Sequence, residues 1–413
     1  MQAENNKNMN IKIVAMGCRL NTLEAQKIQR MLAPAINAAI VVNTCAVTAE
    51  AERQSGQTIR RIARENPNIP IFVTGCAATR NPDMFAQIPN VRIIPNADKM
   101  KLQIYLDAVA GMSPVLSEIS DIPGGEHLSK RFVQIQNGCN HDCTYCVTRL
   151  LRGRAVSFPY TDILADIRAA VADGFYEIVL TGVDIASYAG IGPDGTAFPI
   201  SNLCEQILKD VPEVRRLRLS SMDPASPQIG KIIDLMRRDE RMMRHMHLSM
   251  QSGCDKILND MRRRHTGAHI RELIAAADGV TFSADIICGF PGETDELFTQ
   301  TLNLIKETGI MRVHAFPFSP RPGTVAADMP NQVDRNISKQ RVRLITAAAD
   351  ENRLAYMRTQ LGRRVQVLVE QDNIARTPDD IPVTLVGCAV APRTICDVEI
   401  TDISPLHFIG KVC

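Results

Sequence analysis

Residues 138–146 read Gly-Cys-Asn-His-Asp-Cys-Thr-Tyr-Cys, which sets Cys139, Cys143 and Cys146 in a C-x₃-C-x₂-C run. A cubane iron–sulfur cluster wants four ligands, usually thiolates, so three closely spaced thiolates leave one iron open to a substrate or cofactor. Structural zinc would want a fourth Cys or His at similar spacing. His141 lies inside the loop, but so short a backbone hardly turns it onto the same metal. A second set of thiols is scattered: Cys18, Cys45 and Cys76 each follow a short apolar run and a turn.

The elements around them explain why scattered thiols can meet. Residues 11–16, 39–43 and 69–74 read as short apolar strands, with helix-like stretches from near Thr22, over 48–65 and after Pro82. Continuous apolar strands alternating with helices imply a parallel sheet covered on both faces. The loops after such strands emerge along one edge. Cys18, Cys45 and Cys76 should therefore converge as a second three-thiolate iron–sulfur site. Taken singly, each is a small apolar residue at a strand end.

Residues 113–130, rich in Pro, Gly, Ser and acidic side chains, read as a linker. Strands follow at 132–136, 177–181, 216–220, 245–250, 280–287 and 311–316, with helix-like segments between them such as 162–172 and 297–307. This pattern suits an open, partial (β/α)₆ barrel whose chemistry sits at the C-terminal strand ends, where the Cys139 loop falls. From about Arg358 only β segments are legible, at 364–370, 383–390 and 397–400, suggesting a small appended β-barrel. The expected fold is thus α/β, with an N-terminal domain over 9–112, a central domain over 125–355 and a β domain over 356–413.

Composition sets the limits. The 413-residue chain has twelve cysteines not arranged as a disulfide framework, a polar start (MQAENNKNMN) and no apolar run approaching a membrane span. Clustered thiols in the reducing cytosol, the expected compartment, mean metal or redox chemistry. A net charge of +2 does not announce a nucleic-acid binder. Gly190–Gly195 matches G-x-G-x-x-G, but Pro193 and the missing helix start mark a surface loop and exclude dinucleotide binding. His245 and His247 share one face of a strand and read as a satisfied pair. Cys204, Cys288, Cys388, Cys396 and Cys413 read as packing residues. Arginines at 60, 61 and 64, at 215, 216 and 218, at 262–264, and at 341 and 343 are candidates for RNA phosphates, though each group alone is a solvated face.

Nearly the whole chain resembles the methylthiotransferases of the radical S-adenosylmethionine (SAM) superfamily. The resemblance rests on the Cys18/Cys45/Cys76 domain, on the cluster loop with Arg152-Gly153-Arg154 after it, and on a tail resembling a TRAM domain. Shorter matches are Thr181-Gly182-Val183-Asp184, Ser220-Ser221-Met222-Asp223, His247 to Gly253, and Asp285 to Glu293. The segment from Phe316 to Thr324 is most similar to the branch acting on threonylcarbamoyladenosine at position 37 of tRNA. Cys254 departs from relatives, which usually carry a polar non-thiol residue there, and the family's basic tail is not clearly reproduced.

The resemblance implies two four-iron, four-sulfur clusters and SAM. The cluster on Cys139, Cys143 and Cys146 would bind and cleave SAM, and the one on Cys18, Cys45 and Cys76 would present the transferred sulfur. Tyr145, Gly182, Asp184, Ser221, Gln251 and Glu293 are the expected cofactor contacts, although Asp184 and Glu293 equally suit loop-capping carboxylates. The implied partners are a tRNA anticodon loop, an electron donor such as flavodoxin or ferredoxin, and a sulfur donor, with no membrane. The alternatives are methylthiolation of isopentenyladenosine in tRNA, methylthiolation of an aspartate in a ribosomal protein, or, in another class, a non-catalytic zinc-binding RNA adaptor.

Overall fold

The computed structural model describes residues 11–17, 19–110, 129–371 and 373–413. Cys18 and most of the expected linker lie outside the described residues. The chain divides into two compact units. The first holds 11–110 with Gly138–Asn140 and Cys146–Arg154; the second holds 129–137, His141–Tyr145 and Ala155–Cys413.

In the first unit the strands Ile11–Ala15, Ala39–Thr44, Ile71–Gly75 and Val91–Ile93 pair in that order, all parallel. The sheet is buried on both faces. Ile40 and Val42 pack with Ile59, Ile62 and Val73, whereas Ala39 and Val41 pack with Ile28, Leu32 and Tyr105. That is why its strands read as unbroken apolar runs. The helices Arg19–Leu32 and Ala49–Glu65 lie close to expectation, the latter capped by Thr48 Oγ1 accepting from Ala51 N at 3.1 Å. A short helix, Cys76–Arg80, begins on the cysteine itself, and the one expected after Pro82 follows as Asp83–Ala86. The fourth strand, only three residues long, is too short to show a period.

In the second unit, strands Arg131–Gln134, Glu177–Thr181 and Arg216–Leu219 form one parallel sheet. His245–Gln251, Thr281–Cys288 and Arg312–Pro317 form another. Bridges between Leu217 and Met242 and between Met222 and Leu248 join them into an open six-strand arc. The outer face, with Ile178, Leu180, Leu217, Met246, Leu248, Ala284 and Ile286, is buried under helices such as Tyr160–Ala172, Ile200–Asp210, Ile229–Arg238 and Asp295–Thr308. The alternate residues face inward and are mostly polar: Gln134, Arg216, Arg218, His247, Ser283, Asp285 and His314. The 190–195 segment lies in a small hairpin, Ala189–Ile191 against Ala197–Pro199, as a surface loop should.

A long helix, Arg335–Arg358, which sequence reasoning did not anticipate, leads to the closed C-terminal barrel. Its strands run Arg364–Gln371, Ile374–Arg376, Pro382–Val386, His407–Val412, Ile395–Ser404 around the ring. The expected strand over 383–390 ends at Val386, and two further strands, Ile374–Arg376 and His407–Val412, join those expected.

This barrel stoppers the N-terminal end of the arc. Buried Glu177 meets Arg216 at 2.6 Å and Arg218 at 3.1 Å. Arg216 also donates to the carbonyls of Arg376 and Thr377, and Arg218 to that of Pro378. Arg312 pairs with Asp380, Arg376 with Glu370, and Lys130 with Glu370. Burial alone would raise the Glu177 pKa, but the charges of Arg218, Arg216 and Lys130 outweigh it and hold the carboxyl down at about 2. Arg216 and Arg218, candidates for RNA phosphates by sequence, are thus committed inside the molecule.

Candidate functional site

In the first unit the three strand-end turns are tied to each other. Asn21 Nδ2 donates to the carbonyls of Met16 (2.8 Å) and Thr44 (3.0 Å). Thr44 Oγ1 donates to the Thr74 carbonyl at 2.6 Å and accepts from Ala78 N, the third residue of the helix that Cys76 opens. Gly17, at φ +84°, leaves no room for a side chain: a Cβ there would lie 2.4 Å from both Cβ and Sγ of Cys45. The turn before residue 18 therefore rests on Cys45. Cys18 itself lies outside the described residues.

Behind these turns is a buried ionic group. Glu24 pairs with Lys99 at 2.6 Å and with Arg152 at 2.8 Å, all three side chains nearly sealed from water. Burial disfavours the Glu24 charge, but Lys99 and Arg152 overcome it and lower its pKa. Lys99 also donates to Asn96 Oδ1 at 2.7 Å and feels the charge of Cys76. Sequence reasoning missed Glu24 and Lys99. Asn21 and Glu24 stand three apart on one helix, a spacing that could have marked a shared face.

In the second unit, Gln136 Oε1 accepts from the amides of Val183 and Asp184, shaping the turn that contains Gly182. Asp184 meets His141 Nε2 at 2.8 Å and accepts from Ser187. Tyr145 packs on the buried cluster of Cys254, Ile257, Met261, Phe290 and Ala326, so the unusual Cys254 is a core residue. Ser221 and Gln251 follow or end strands of the arc, and Gln251 adopts φ +71° beside a register shift. Glu293 is engaged through Oε2, which accepts from Gly289 N at 2.6 Å and from Arg341 at 2.8 Å. Burial raises its pKa beyond what those two partners recover. Arg341, another phosphate candidate by sequence, is thereby occupied.

Arg263 is the residue that the sequence hid inside an arginine run. It is nearly buried, donates to the Ser249 carbonyl at 2.7 Å and reaches Cys143 Sγ at 3.5 Å. Burial opposes its charge, while Tyr145, Asp223 and Cys143 hold it and raise its pKa. Asp223 anchors it from behind at 3.4 Å and also takes Arg264 at 2.8 Å. In the first unit, Thr148 N donates to Cys146 Sγ at 3.4 Å and Cys139 N to the Gly153 carbonyl. N–H groups directed at sulfur favour thiolates, the soft donors that iron–sulfur clusters take. In the turns of the other set, Asn43 Oδ1 and Thr74 Oγ1 are buried with no hydrogen-bond partner among the described residues. The donors at Cys143 and Cys146 suit thiolate ligands, and Cys45 and Cys76 stand on turns tied to one another.

An open arc of parallel strands, with three thiols on the loop after the first, defines a radical SAM enzyme. Residues 133–305 match the radical SAM superfamily and 10–95 match uncharacterized protein family UPF0004. The chain is 38% identical to the threonylcarbamoyladenosine tRNA methylthiotransferase MtaB of Rickettsia prowazekii, over 92% of each chain. It is 32% identical to the MtaB of Bacillus subtilis, over 88% of this chain and 85% of that one. It is 29% identical to the tRNA-2-methylthio-N(6)-dimethylallyladenosine synthase of Novosphingobium aromaticivorans, over 87% and 86%. Among solved structures, the radical SAM methyltransferase TsrM of Kitasatospora setae matches the fold, with TM-score 0.53 and 14% identity over 73% of this chain and 68% of that one. The protein belongs to the methylthiotransferase family of radical SAM enzymes. No helix among the described residues is long and apolar enough to cross a membrane.

Proposed function

We propose that this enzyme adds a methylthio group to carbon 2 of the adenine in threonylcarbamoyladenosine, beside the anticodon of tRNA. The observation that carries the reading is similarity over nearly the full length to relatives named for that substrate, at 38% and 32% identity, against 29% and 31% for dimethylallyladenosine enzymes. Carbon 2 bears an unactivated C–H bond that no side-chain acid or base opens; bound clusters and SAM supply the radical chemistry it requires.

The protein's own part is holding and tuning. Cys139, Cys143 and Cys146 would hold one cluster, with Arg263 balancing thiolate charge at Cys143. Cys18, Cys45 and Cys76 would hold the second, backed by Lys99. Tyr145, Gly182, Asp184, Ser221, Gln251 and Glu293 would shape the SAM pocket, Glu293 by fixing the Gly289 loop through its amide. Arg60, Arg61, Arg64 and Arg343 are exposed and suit RNA phosphates. An anticodon loop presents its bases unpaired, so drawing one out costs little. The reaction also needs an electron donor, such as flavodoxin or ferredoxin, and a sulfur donor; with tRNA as substrate, its setting is the cytosol.

The second reading, dimethylallyladenosine (the isopentenyl nucleoside) as substrate, is favoured by the 29% relative. Deleting the gene from its host and digesting total tRNA for mass spectrometry separates the two. The expected result is loss of the methylthio-threonylcarbamoyl nucleoside with accumulation of its unthiolated precursor. A shift confined to the dimethylallyl pair would overturn the substrate assignment.

A further inference from the structure

The inner face of the arc carries a polar array that the cluster chemistry does not use. On the adjacent strands His245–Gln251, Thr281–Cys288 and Arg312–Pro317, His247 Nε2 lies 3.0 Å from Asp285 Oδ1, and His314 Nδ1 lies 3.6 Å from the same oxygen. The two rings stand 4.9 Å apart. Behind them, His247 Nδ1 is 2.7 Å from Ser283 Oγ, and His245 Nε2 is 2.8 Å from that hydroxyl. His245 Nδ1 in turn is 2.8 Å from Thr281 Oγ1.

Two histidines and a carboxylate could take a divalent cation; without one, the same groups are held together by hydrogen bonds. If Ser283 donates to His247 Nδ1, the proton of neutral His247 sits on Nε2, facing Asp285. Asp285 is ionised, since the hydrogen bonds from His247 and His314 override its burial and hold its pKa at about 2.

The array is therefore oriented from within and ends at its outer member. His314 is 47% exposed, on the edge strand, and Phe316, two residues on and on the same face, is 41% exposed. An imidazole that turns its Nδ1–H to a carboxylate leaves Nε2 facing outward, where it donates to an anion when the ring carries both protons. Beside an exposed aromatic ring, this makes a site for a flat base bearing a polar, anionic arm. We propose that His314, oriented by Asp285 and His247, binds the carboxylate of the threonylcarbamoyl group while Phe316 contacts the base, so that these residues set the choice of modified adenosine. The proposal rests on the substrate reading given above. A dimethylallyl arm, wholly apolar, would gain nothing from such a pair.

The test uses the anaerobically reconstituted enzyme and anticodon stem–loops carrying threonylcarbamoyladenosine, its methyl ester, or unmodified adenosine. Wild type should prefer the acid to the ester by about tenfold to a hundredfold in Kd, the worth of a hydrogen bond to a charged group. His314→Phe should erase that preference and raise KM for the acid, leaving kcat and RNA-independent 5′-deoxyadenosine release unchanged. Asp285→Asn should weaken the same preference. If wild type prefers the acid and H314F keeps the preference, the assignment of His314 is overturned and the substrate reading stands. If wild type does not distinguish threonylcarbamoyladenosine from unmodified adenosine, both fall.

Discussion

Replacing Glu177 by Gln should cost the second unit far more stability than the loss of a surface ion pair. The carboxylate is fully buried, contacted by Arg216 at 2.6 Å and Arg218 at 3.1 Å. Its loss would leave Lys130, Arg216, Arg218, Arg312 and Arg376 around the carboxylates of Glu370 and Asp380. Two routes give the magnitude. The gap between the ordinary value of 4.5 and about 2 corresponds to about 3 kcal/mol. Removing one partner of a buried ion pair costs about 3–5 kcal/mol. The pH dependence has a definite sign: because the folded-state pKa is depressed, the contribution is complete above 4.5 and is lost as pH falls toward 2. The assay is urea unfolding of the apoprotein followed by circular dichroism, at neutral pH and at steps down toward pH 3. E177Q should unfold at lower urea and show a flatter acid dependence than wild type. The combined change Glu177→Leu, Arg216→Met, Arg218→Leu should recover part of the loss by removing the stranded charges. A cost for E177Q below about 1 kcal/mol, the worth of a surface pair, would refute the argument.

If each thiol set holds a four-iron cluster, reconstituted wild type should carry about eight irons and the Cys18/Cys45/Cys76→Ala variant about four. That variant should still release 5′-deoxyadenosine but transfer no methylthio group, whereas Cys139/Cys143/Cys146→Ala should release none; equal iron in wild type and the first variant would sink the second site. Gly17→Ala, which forces a Cβ onto Cys45 at a left-handed φ, should lower iron toward about four without disturbing 5′-deoxyadenosine release, as read by iron analysis and chromatography.

Much of this was legible because the relevant signals are local. The cysteine loop is contiguous, and the doubly buried strands at 39–44 and 71–75 are continuous apolar runs. The failures share a cause, which is that sequence shows a charge but not its distant partner. Arg216 and Arg218 are 39 and 41 residues from Glu177, and Arg341 is 48 from Glu293. All three arginines read as solvated cations, yet they are core residues. Arg263 sat between two exposed arginines that gave it the same disguise. The strand His407–Val412 was masked by Gly410, a poor strand former that is there because a Cβ would meet Val398 at 2.3 Å. His247, Asp285 and His314 become a unit only through strand register.

The stopper at the base of the arc has a consequence for how the tail can change. Arg216 and Arg218 grip the tail chiefly through main-chain carbonyls, those of Arg376, Thr377 and Pro378, with that of Gln366 at 3.4 Å. A carbonyl is the same whatever side chain stands above it, so the grip does not depend on the residue types at those positions. The outward surface of the small barrel can thus change its residues while that grip remains. Such a tail behaves as an exchangeable fitting, clamped at Arg216 and Arg218 by its backbone, keyed at Glu370 and Asp380 by their charges, and free to vary elsewhere.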